Sequence, residues 1–309
     1  GQGADPVDRR DGDPVKPADL KSRLDAGEVL LADGAMGTLL QAEGLGPGEA
    51  PEAWNLARPE VLEKIAAAYV AAGSDLVHTN SFGGSPLKLA HHGLDDRCVE
   101  INRAAAAAAV RGAAGRALVS GSIGPCGRLL EPYGDTDPEE LLAGFRLQAR
   151  ALVEGGVDLL TVETMTDLAE ARLAVRAARE ALGEGTVLAT MTFEPSPHGW
   201  FTIMGNDVPS VAAGLSESGA DVVGSNCGQG TAGMLSVARA FAATTDLPLI
   251  IQANAGLPVL TDGRVRYPES PPEMAAALPD LLAAGVRILG GCCGTTPEHI
   301  KALRTSLSP

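Results

Sequence analysis

The feature that most constrains this chain is an alternation, repeated eight times, between a short apolar run and a longer stretch rich in Ala and Leu. The short runs are nearly continuous in apolar and β-branched residues, which is typical of strands buried on both faces of a parallel sheet. The longer stretches have the periodicity of amphipathic helices. The predicted strands are Val29–Asp33, Asp75–Thr79, Ala117–Ser122, Val157–Glu163, Val187–Phe193, Asp221–Asn226, Pro248–Asn254 and Val286–Gly291. The helical candidates are Val61–Ala72, Val99–Ala113, Pro138–Glu154, Leu168–Leu182, Val208–Ser218, Met234–Ala243 and Pro272–Ala284.

This alternation predicts an α/β fold, a closed (β/α)8 TIM barrel in a single domain. An open, doubly wound sheet could hold the same number of units and is the alternative. Since no linker rich in Pro, Gly or Ser divides the chain, we expect one barrel domain over residues 18–309. Residues 1–17 are polar and contain no apolar run, so a short disordered lead-in is predicted there.

Charge and cysteine content limit the partners and the compartment. The net charge of −15 argues against nucleic acid or an anionic membrane as a partner. No run of 18 apolar residues is present, so the sequence predicts no membrane span. The five cysteines are unevenly spread and odd in number, unlike a disulfide framework, so we expect a reducing cytoplasm. There, clustered cysteines more often bind metal or take part in catalysis.

Polar side chains concentrate at the carboxyl ends of the predicted strands. In a barrel these ends converge on one mouth, where the active site is assembled. The residues at these ends are Asp33, Asn80, Ser122, Glu163, Asn226, Cys227, Asn254, Cys292 and Cys293.

Three of these residues are cysteines in glycine-rich turns. Cys227 follows the sixth strand, and Cys292 and Cys293 follow the eighth. Three thiolates with one open coordination position form a catalytic zinc site, so the sequence predicts Zn2+ bound here. Adjacent cysteines can also be small buried residues or a vicinal disulfide. Cys98 lies in a helical stretch and is interpreted as core, whereas Cys126 follows the third strand and is a possible fourth ligand.

A zinc ion held by three thiolates suits the alkylation of a substrate thiol. A free thiol has a pKa of about 8.5, so little thiolate exists at neutral pH. Binding the sulfur at the open zinc position removes its proton, and the electron-rich sulfur ligands keep it reactive toward an electrophilic carbon.

The motifs at the strand ends resemble those of the homocysteine S-methyltransferase family. The residues of the first and last motifs most resemble the homocysteine-binding module of cobalamin-dependent methionine synthase. The resemblance runs from about residue 29 to the C-terminus, with the Asn-Cys and Cys-Cys elements as its most specific parts. The matching stretches are Leu31–Thr38, Thr79–Phe82, Ser122–Pro125, Val162–Met165, Gly224–Cys227, Asn254–Pro258 and Gly290–Pro297.

This resemblance implies a zinc-bearing barrel in which the sulfur of homocysteine ligates the metal. Asp33 and Glu163 would then hold the substrate ammonium, and the backbone amides around Ser81 and Phe82 would receive its carboxylate. Asn226 is assigned to the substrate side of the site. Asp33 and Glu163 could instead cap the helices that follow their strands.

Two positions depart from the family pattern. The segment His198–Phe201, after the fifth strand, is unusual and leaves the methyl donor open. His78 stands where an acidic or polar residue is expected, and we interpret it as a core or supporting histidine rather than a catalytic one. The chain is too short for folate and cobalamin modules. If the donor is a methylcorrinoid, we therefore expect it to arrive on a separate protein.

The leading hypothesis is therefore an enzyme that transfers a methyl group to homocysteine and forms methionine. Its donor would be a sulfonium, a betaine-type compound or a methylcorrinoid. The alternatives are a component that presents a thiolate in a multi-protein corrinoid system, a methyltransferase for a different thiol, and a zinc-storage or structural-zinc protein. The run Gly228–Gly233 matches a dinucleotide fingerprint but lacks its acidic partner, so it is interpreted as a tight turn.

Overall fold

The computed structural model describes residues 19–261 and 264–307, and in that part of the chain eight parallel strands form a nearly closed barrel. Counted in chain order, the first strand lies beside the eighth, and from there the strands follow one another in sequence back to the second, with no reversal of the kind that defines a doubly wound sheet. The predicted (β/α)8 barrel is confirmed, and the lead-in predicted over residues 1–17 lies outside the described residues. The strands are β1 Leu30–Leu31, β2 Leu76–His78, β3 Leu118–Ile123, β4 Leu159–Met165, β5 Val187–Met191, β6 Val222–Asn226, β7 Leu249–Ala253 and β8 Val286–Gly291.

The seam between β1 and β2 is closed by one aspartate. The backbone N–H of Asp75 donates to the Leu31 carbonyl oxygen at 2.6 Å, and the Asp75 carboxylate accepts the Leu31 N–H at 2.8 Å. Carboxylates just before β4 and β6 accept an N–H from the first or second residue of the preceding strand in the same way. These further pairs are Asp158 with Val119 at 2.8 Å and Asp221 with Val187 at 2.9 Å.

Strand β1 is shorter than the predicted Val29–Asp33. On the β8 side backbone bonding continues past Leu31, because the Ala32 N–H donates to Leu289 O at 2.7 Å and the Asp33 carbonyl oxygen accepts the Gly291 N–H at 2.9 Å. On the β2 side the Asp33 carboxylate accepts the His78 N–H, so a side-chain hydrogen bond replaces the ladder there.

The helices form the outer layer. They are α1 Asp19–Asp25, α2 Met36–Ala42, α3 Trp54–Ala57, α4 Pro59–Ala72, α5 Pro86–Leu89, α6 Cys98–Ala113, α7 Pro138–Glu154, α8 Leu168–Leu182, α9 Val208–Glu217, α10 Thr231–Ala242, α11 Pro271–Ala276, α12 Leu278–Ala283 and α13 Pro297–Leu307. The single helix predicted over Pro272–Ala284 is two helices, because Pro279 lacks the N–H that a continuous helix needs.

Helix α1 closes the N-terminal end of the barrel. Leu20 and Leu24 of α1 are buried against the apolar side chains at the N-terminal ends of the strands, such as Leu118 and Leu159. At the opposite end, two hairpins that the sequence did not predict stand on the rim. One pairs Glu194–Ser196 with Gly199–Phe201 after β5, and the other pairs Val259–Thr261 with Arg264–Arg266 after β7.

None of the helices in the described part of the chain combines the length and the apolar character needed to cross a bilayer.

Candidate metal centre and substrate pocket

The three predicted cysteines meet at the mouth of the barrel, although β7 separates the strands that carry them. The end of β7 joins both sides: the Cys227 N–H donates to Gln252 O at 3.2 Å, and the Cys292 N–H donates to Ala253 O at 2.7 Å. As a result the three sulfurs lie within 4.8 Å of one another, with Cys227 Sγ 3.8 Å from Cys293 Sγ.

Cys227 is held in an unusual backbone conformation. Its φ is +61°, in the left-handed region that costs a non-glycine residue about 1–2 kcal/mol. The Gln229 N–H donates to the Cys227 carbonyl at 2.8 Å and stabilises the turn. Such strain is found where the surrounding structure must aim a functional side chain, and here the turn directs the sulfur toward Cys293.

The geometry and chemistry of the cluster fit a thiophilic cation. Thiolates placed tetrahedrally at about 2.3 Å from zinc lie roughly 3.8 Å apart, which matches the spacing of Cys227 and Cys293. Contacts with Cys227 and Cys292 lower the pKa of Cys293 to about 3, whereas the pKa of Cys292 is raised by its contacts with the other two thiols and by burial. One thiolate therefore forms readily, and a cation is needed to hold all three deprotonated.

Tyr267, at the base of the β7 hairpin, packs against this cluster. Its hydroxyl interacts with the Cys293 sulfur, and burial together with that neighbour raises the pKa of Tyr267 to about 12. Gly294 permits the contact, because a Cβ there would stand 2.2 Å from the tyrosine ring and the backbone has a φ of +80°.

Glu163, at the end of β4, is fixed from two sides. One carboxylate oxygen accepts from Ser122 Oγ at 2.5 Å, and the other accepts from Asn226 Nδ2 at 3.3 Å. Asn226 also bonds both the backbone N–H and the hydroxyl of Thr164, each at 2.7 Å, and so holds Thr164 at a φ of +59°. Burial raises the pKa of Glu163, opposed by the nearby His78.

Asp33, at the end of β1, is bound by His78. Asp33 Oδ1 lies 2.7 Å from His78 Nδ1, and Oδ2 accepts the His78 backbone N–H at 2.8 Å. Burial lowers the pKa of His78, but the charge and hydrogen bond of Asp33 outweigh it and raise the pKa to about 9. Neither Asp33 nor Glu163 caps the following helix, since their hydrogen bonds run to neighbouring strands and the N-cap residues of α2 and α8 are Ala35 and Asp167.

Between these groups and the cysteines lies a cavity of about 270 Å³. Asp33, His78, Glu163 and the three cysteines all line it. This volume is at the small end of the range for ligand pockets, which suits a molecule the size of an amino acid.

The two amides predicted to receive a carboxylate differ. The Ser81 N–H is already engaged, donating to Thr79 O at 2.9 Å. Among the described residues, the Phe82 N–H has no hydrogen-bond partner, and the Phe82 side chain lines the cavity. Gly124 makes room for that ring, since a Cβ there would come within 2.5 Å of it.

Two further residues of the pocket were not identified from the sequence. Glu52 lines the cavity and accepts the Gly83 N–H at 2.7 Å, and burial raises its pKa. Gln252 is 3 % exposed, and its Oε1 has no partner within the described chain. A polar residue inside the apolar run of β7 was the available signal for Gln252, whereas Glu52 lies in a loop with no such contrast.

The other two cysteines lie outside the cluster. Cys98 is 1 % exposed and bonds Gly84 O, which confirms its prediction as a core residue. Cys126 is fully buried, its sulfur contacts the Arg128 backbone, and burial raises its pKa to about 12. The structure does not place Cys126 with the metal-binding group.

The chain is similar to known proteins in sequence and in fold. The methionine synthases of Mycobacterium tuberculosis and Mycobacterium leprae are 34% and 33% identical over 91% and 92% of the chain. The chain spans only about a quarter of their length, 25% and 24% respectively. The metallated crystal structure of the homocysteine methyltransferase MmuM from Escherichia coli superposes with a TM-score of 0.78 at 26% identity, covering 94% of this chain and 99% of that one. The homocysteine S-methyltransferase family model matches residues 30–307, and the chain therefore belongs to that family.

Proposed function

We propose that this protein is a zinc-dependent enzyme that transfers a methyl group to the thiol of homocysteine, with methionine as the product. The observation that carries the proposal is the cluster of Cys227, Cys292 and Cys293, whose sulfurs lie within 4.8 Å of one another beside a cavity lined by Asp33 and Glu163. Membership of the homocysteine S-methyltransferase family supports the reaction class.

Zinc is the cofactor that the donor set favours. When bound by three thiolates with an open fourth position, zinc supplies the acidity that keeps a substrate thiol deprotonated at neutral pH. The protein holds the ligands through the β7 backbone, and the left-handed turn at Cys227 directs its sulfur to the others. This site requires reduced thiols, in keeping with a reducing compartment such as the cytoplasm.

The pocket residues provide complementary contacts for the amino-acid end of homocysteine. Glu163 and Asp33 offer anionic acceptors to its ammonium, and the Phe82 N–H offers a free donor to its carboxylate. Asn226 supports substrate binding through Glu163. With both charged groups of the substrate fixed, its thiol can reach the cysteines, which line the same cavity.

The methyl donor must approach from the open side of the mouth, where the two hairpins stand. A sulfonium, a betaine-type compound and a methylcorrinoid all present an electrophilic methyl carbon. The hairpin after β7, formed by Val259–Thr261 and Arg264–Arg266, has exposed apolar side chains at Leu260 and Val265, and Leu257 just before it is exposed too. The hairpin is followed directly by Tyr267, which lies beside the cluster. This surface favours the second candidate, a component that presents a thiolate to a separate corrinoid protein.

The test is methionine formation by reduced, zinc-replete protein given homocysteine. S-methylmethionine, S-adenosylmethionine, betaine and methylcobalamin are supplied separately, and zinc content is measured on the same samples. Turnover with one donor supports the proposal and identifies the donor. Silence with all four, followed by turnover with a methylcorrinoid protein, would favour the second candidate. No thiol binding by zinc-replete protein would overturn both and leave a zinc-storage or structural role.

A further inference from the structure

His78 differs from an ordinary buried histidine in how it bonds its partner. Its ring and its own backbone N–H engage both oxygens of Asp33, at 2.7 Å and 2.8 Å. The far side of the ring, Nε2, lies 3.3 Å from Thr161 Oγ1, which in turn lies 2.6 Å from Ser120 Oγ. Asp33 is therefore fixed by a single residue that is itself held by a chain of hydroxyls.

The pair does not lie in the core away from the site. Both His78 and Asp33 line the cavity, as does Glu163. A pair needed only for packing would have no reason to face the space next to the three cysteines.

The charges explain why a basic residue is useful here. Asp33 from β1 and Glu163 from β4 are the anionic groups that influence His78, and without a cation they would repel each other across the cavity. The pKa of His78 is about 9, so the imidazole is protonated at neutral pH and neutralises Asp33. Of these two carboxylates, Asp33 is the one that pairs with the imidazolium, which leaves the charge of Glu163 for the substrate ammonium.

We infer that His78 is a positioning residue for substrate selection: as an imidazolium it fixes Asp33 as an acceptor for the substrate ammonium and leaves a pocket that prefers a thiol bearing one amino group. The inference rests on the proposed function. It assigns His78 no contact with the reacting sulfur, so its loss should alter the choice of thiol rather than the metal centre.

The experiment compares two thiols that differ only in the ammonium, homocysteine and 4-mercaptobutyrate, by calorimetric titration of the zinc-loaded protein. In His78→Leu, we expect homocysteine binding to weaken about tenfold while 4-mercaptobutyrate changes less than twofold. In His78→Asn, whose amide can still donate to Asp33, we expect partial recovery of the preference. Zinc content and thermal unfolding are measured on each variant.

Different results overturn different claims. Equal weakening of both thiols, or an unchanged preference in His78→Leu, would overturn the inference alone. Wild-type protein that binds neither thiol would overturn the proposed function as well.

A second measurement reports the protonation of His78 in the wild type and needs only the conservative His78→Asn variant, for assignment. Nitrogen NMR of histidine-labelled protein at pH 7.5, assigned with the His78→Asn spectrum, should show both His78 ring nitrogens protonated. A neutral ring would overturn the inference.

Discussion

At the N-terminal end of the barrel, buried carboxylates are used by the protein itself. Asp75 accepts the Leu31 N–H and forms ion pairs with Arg23 and Arg304. At the C-terminal end, Glu163 and Asp33 are also held by hydrogen bonds, but they face a cavity. A strand-end carboxylate supports stability where its oxygens are all used by groups of the protein, as in Asp75. Where the carboxylate also faces a cavity, as in Glu163 and Asp33, its remaining lone pairs can accept hydrogen bonds from a ligand.

The same contrast applies to backbone strain and to unpartnered polar atoms. Two of the three non-glycine residues with positive φ in the described chain, Thr164 and Cys227, line the cavity. Gln252, with its unpartnered Oε1, lines it too. The mouth thus bears more of this cost in folding free energy than the N-terminal end, where Ala114 is the third such residue.

The largest effect should come from breaking the metal centre. We expect Cys292→Ser to abolish zinc retention and to lower methyl transfer by about 1,000-fold or more, because even residues that only support metal ligands typically contribute about 10–100-fold. Metal analysis and turnover are measured on the same preparation. Cys126→Ser is the matched control, since Cys126 lies outside the cluster and should leave zinc content unchanged. A Cys292→Ser protein with full zinc and full activity would contradict the assignment.

Asp75→Asn tests the opposite end of the barrel. The Asp75 side chain is 1 % exposed, and removing its charge breaks its ion pairs with Arg23 and Arg304, so we expect the free energy of unfolding to fall by about 3 kcal/mol. Denaturant titration gives this value, and activity per folded molecule should stay within twofold of the wild type. A normal stability with a raised KM would show that the two ends do not divide the roles in this way.

Glu163→Gln should give the reverse result. We expect the KM for homocysteine to rise roughly 30-fold, about 2 kcal/mol, because a charged hydrogen bond to the ammonium becomes a neutral one. Stability should stay the same or increase, since burial already raises the pKa of Glu163 and disfavours its charged form.

The same substitution predicts a pH dependence. Because the pKa of Glu163 is raised, its carboxylate is lost at a higher pH than usual as the solution is acidified, and homocysteine affinity should weaken there. The Glu163→Gln variant should lack this component, as judged from thiol binding across the acidic range with zinc content held constant. Identical pH profiles would rule out Glu163 as the ammonium acceptor.

Much of the fold and the grouping of the three cysteines could be predicted from local sequence. Buried parallel strands are continuous apolar runs, as in Val187–Met191, and strand ends in a barrel converge, so the cysteines could be brought together without coordinates. The closure of β1 on Asp75 could not, because it joins residues 44 positions apart through a side chain that has no local pattern. The hairpins on the rim were missed for a related reason, since their strands are three residues each and too short to show a period.

The smallest predicted effect concerns two buried glutamines. Gln252 and Gln148 each have an unpartnered Oε1, but Gln148 Nε2 donates to Ser81 O at 2.7 Å, whereas Gln252 faces the cavity. We expect Gln252→Leu to leave the unfolding free energy unchanged or raise it by about 1 kcal/mol, because it removes a buried acceptor without a partner. The KM for homocysteine should rise about fivefold, since the ammonium has three N–H donors and Gln252 is available as an acceptor beside Asp33 and Glu163.

The matched Gln148→Leu variant should behave in the opposite way. It removes the Gln148 Nε2 hydrogen bond to Ser81 O, which then keeps only the Gly84 N–H, so the protein should lose about 1–2 kcal/mol of stability while the KM stays within twofold. Denaturant melts and initial rates on the two variants decide the matter together. If Gln252→Leu instead destabilises the protein and leaves the KM unchanged, Gln252 belongs with the structural groups. The residues that bind substrate would then form a smaller group, nearer the cysteines, than the full set of residues that line the cavity.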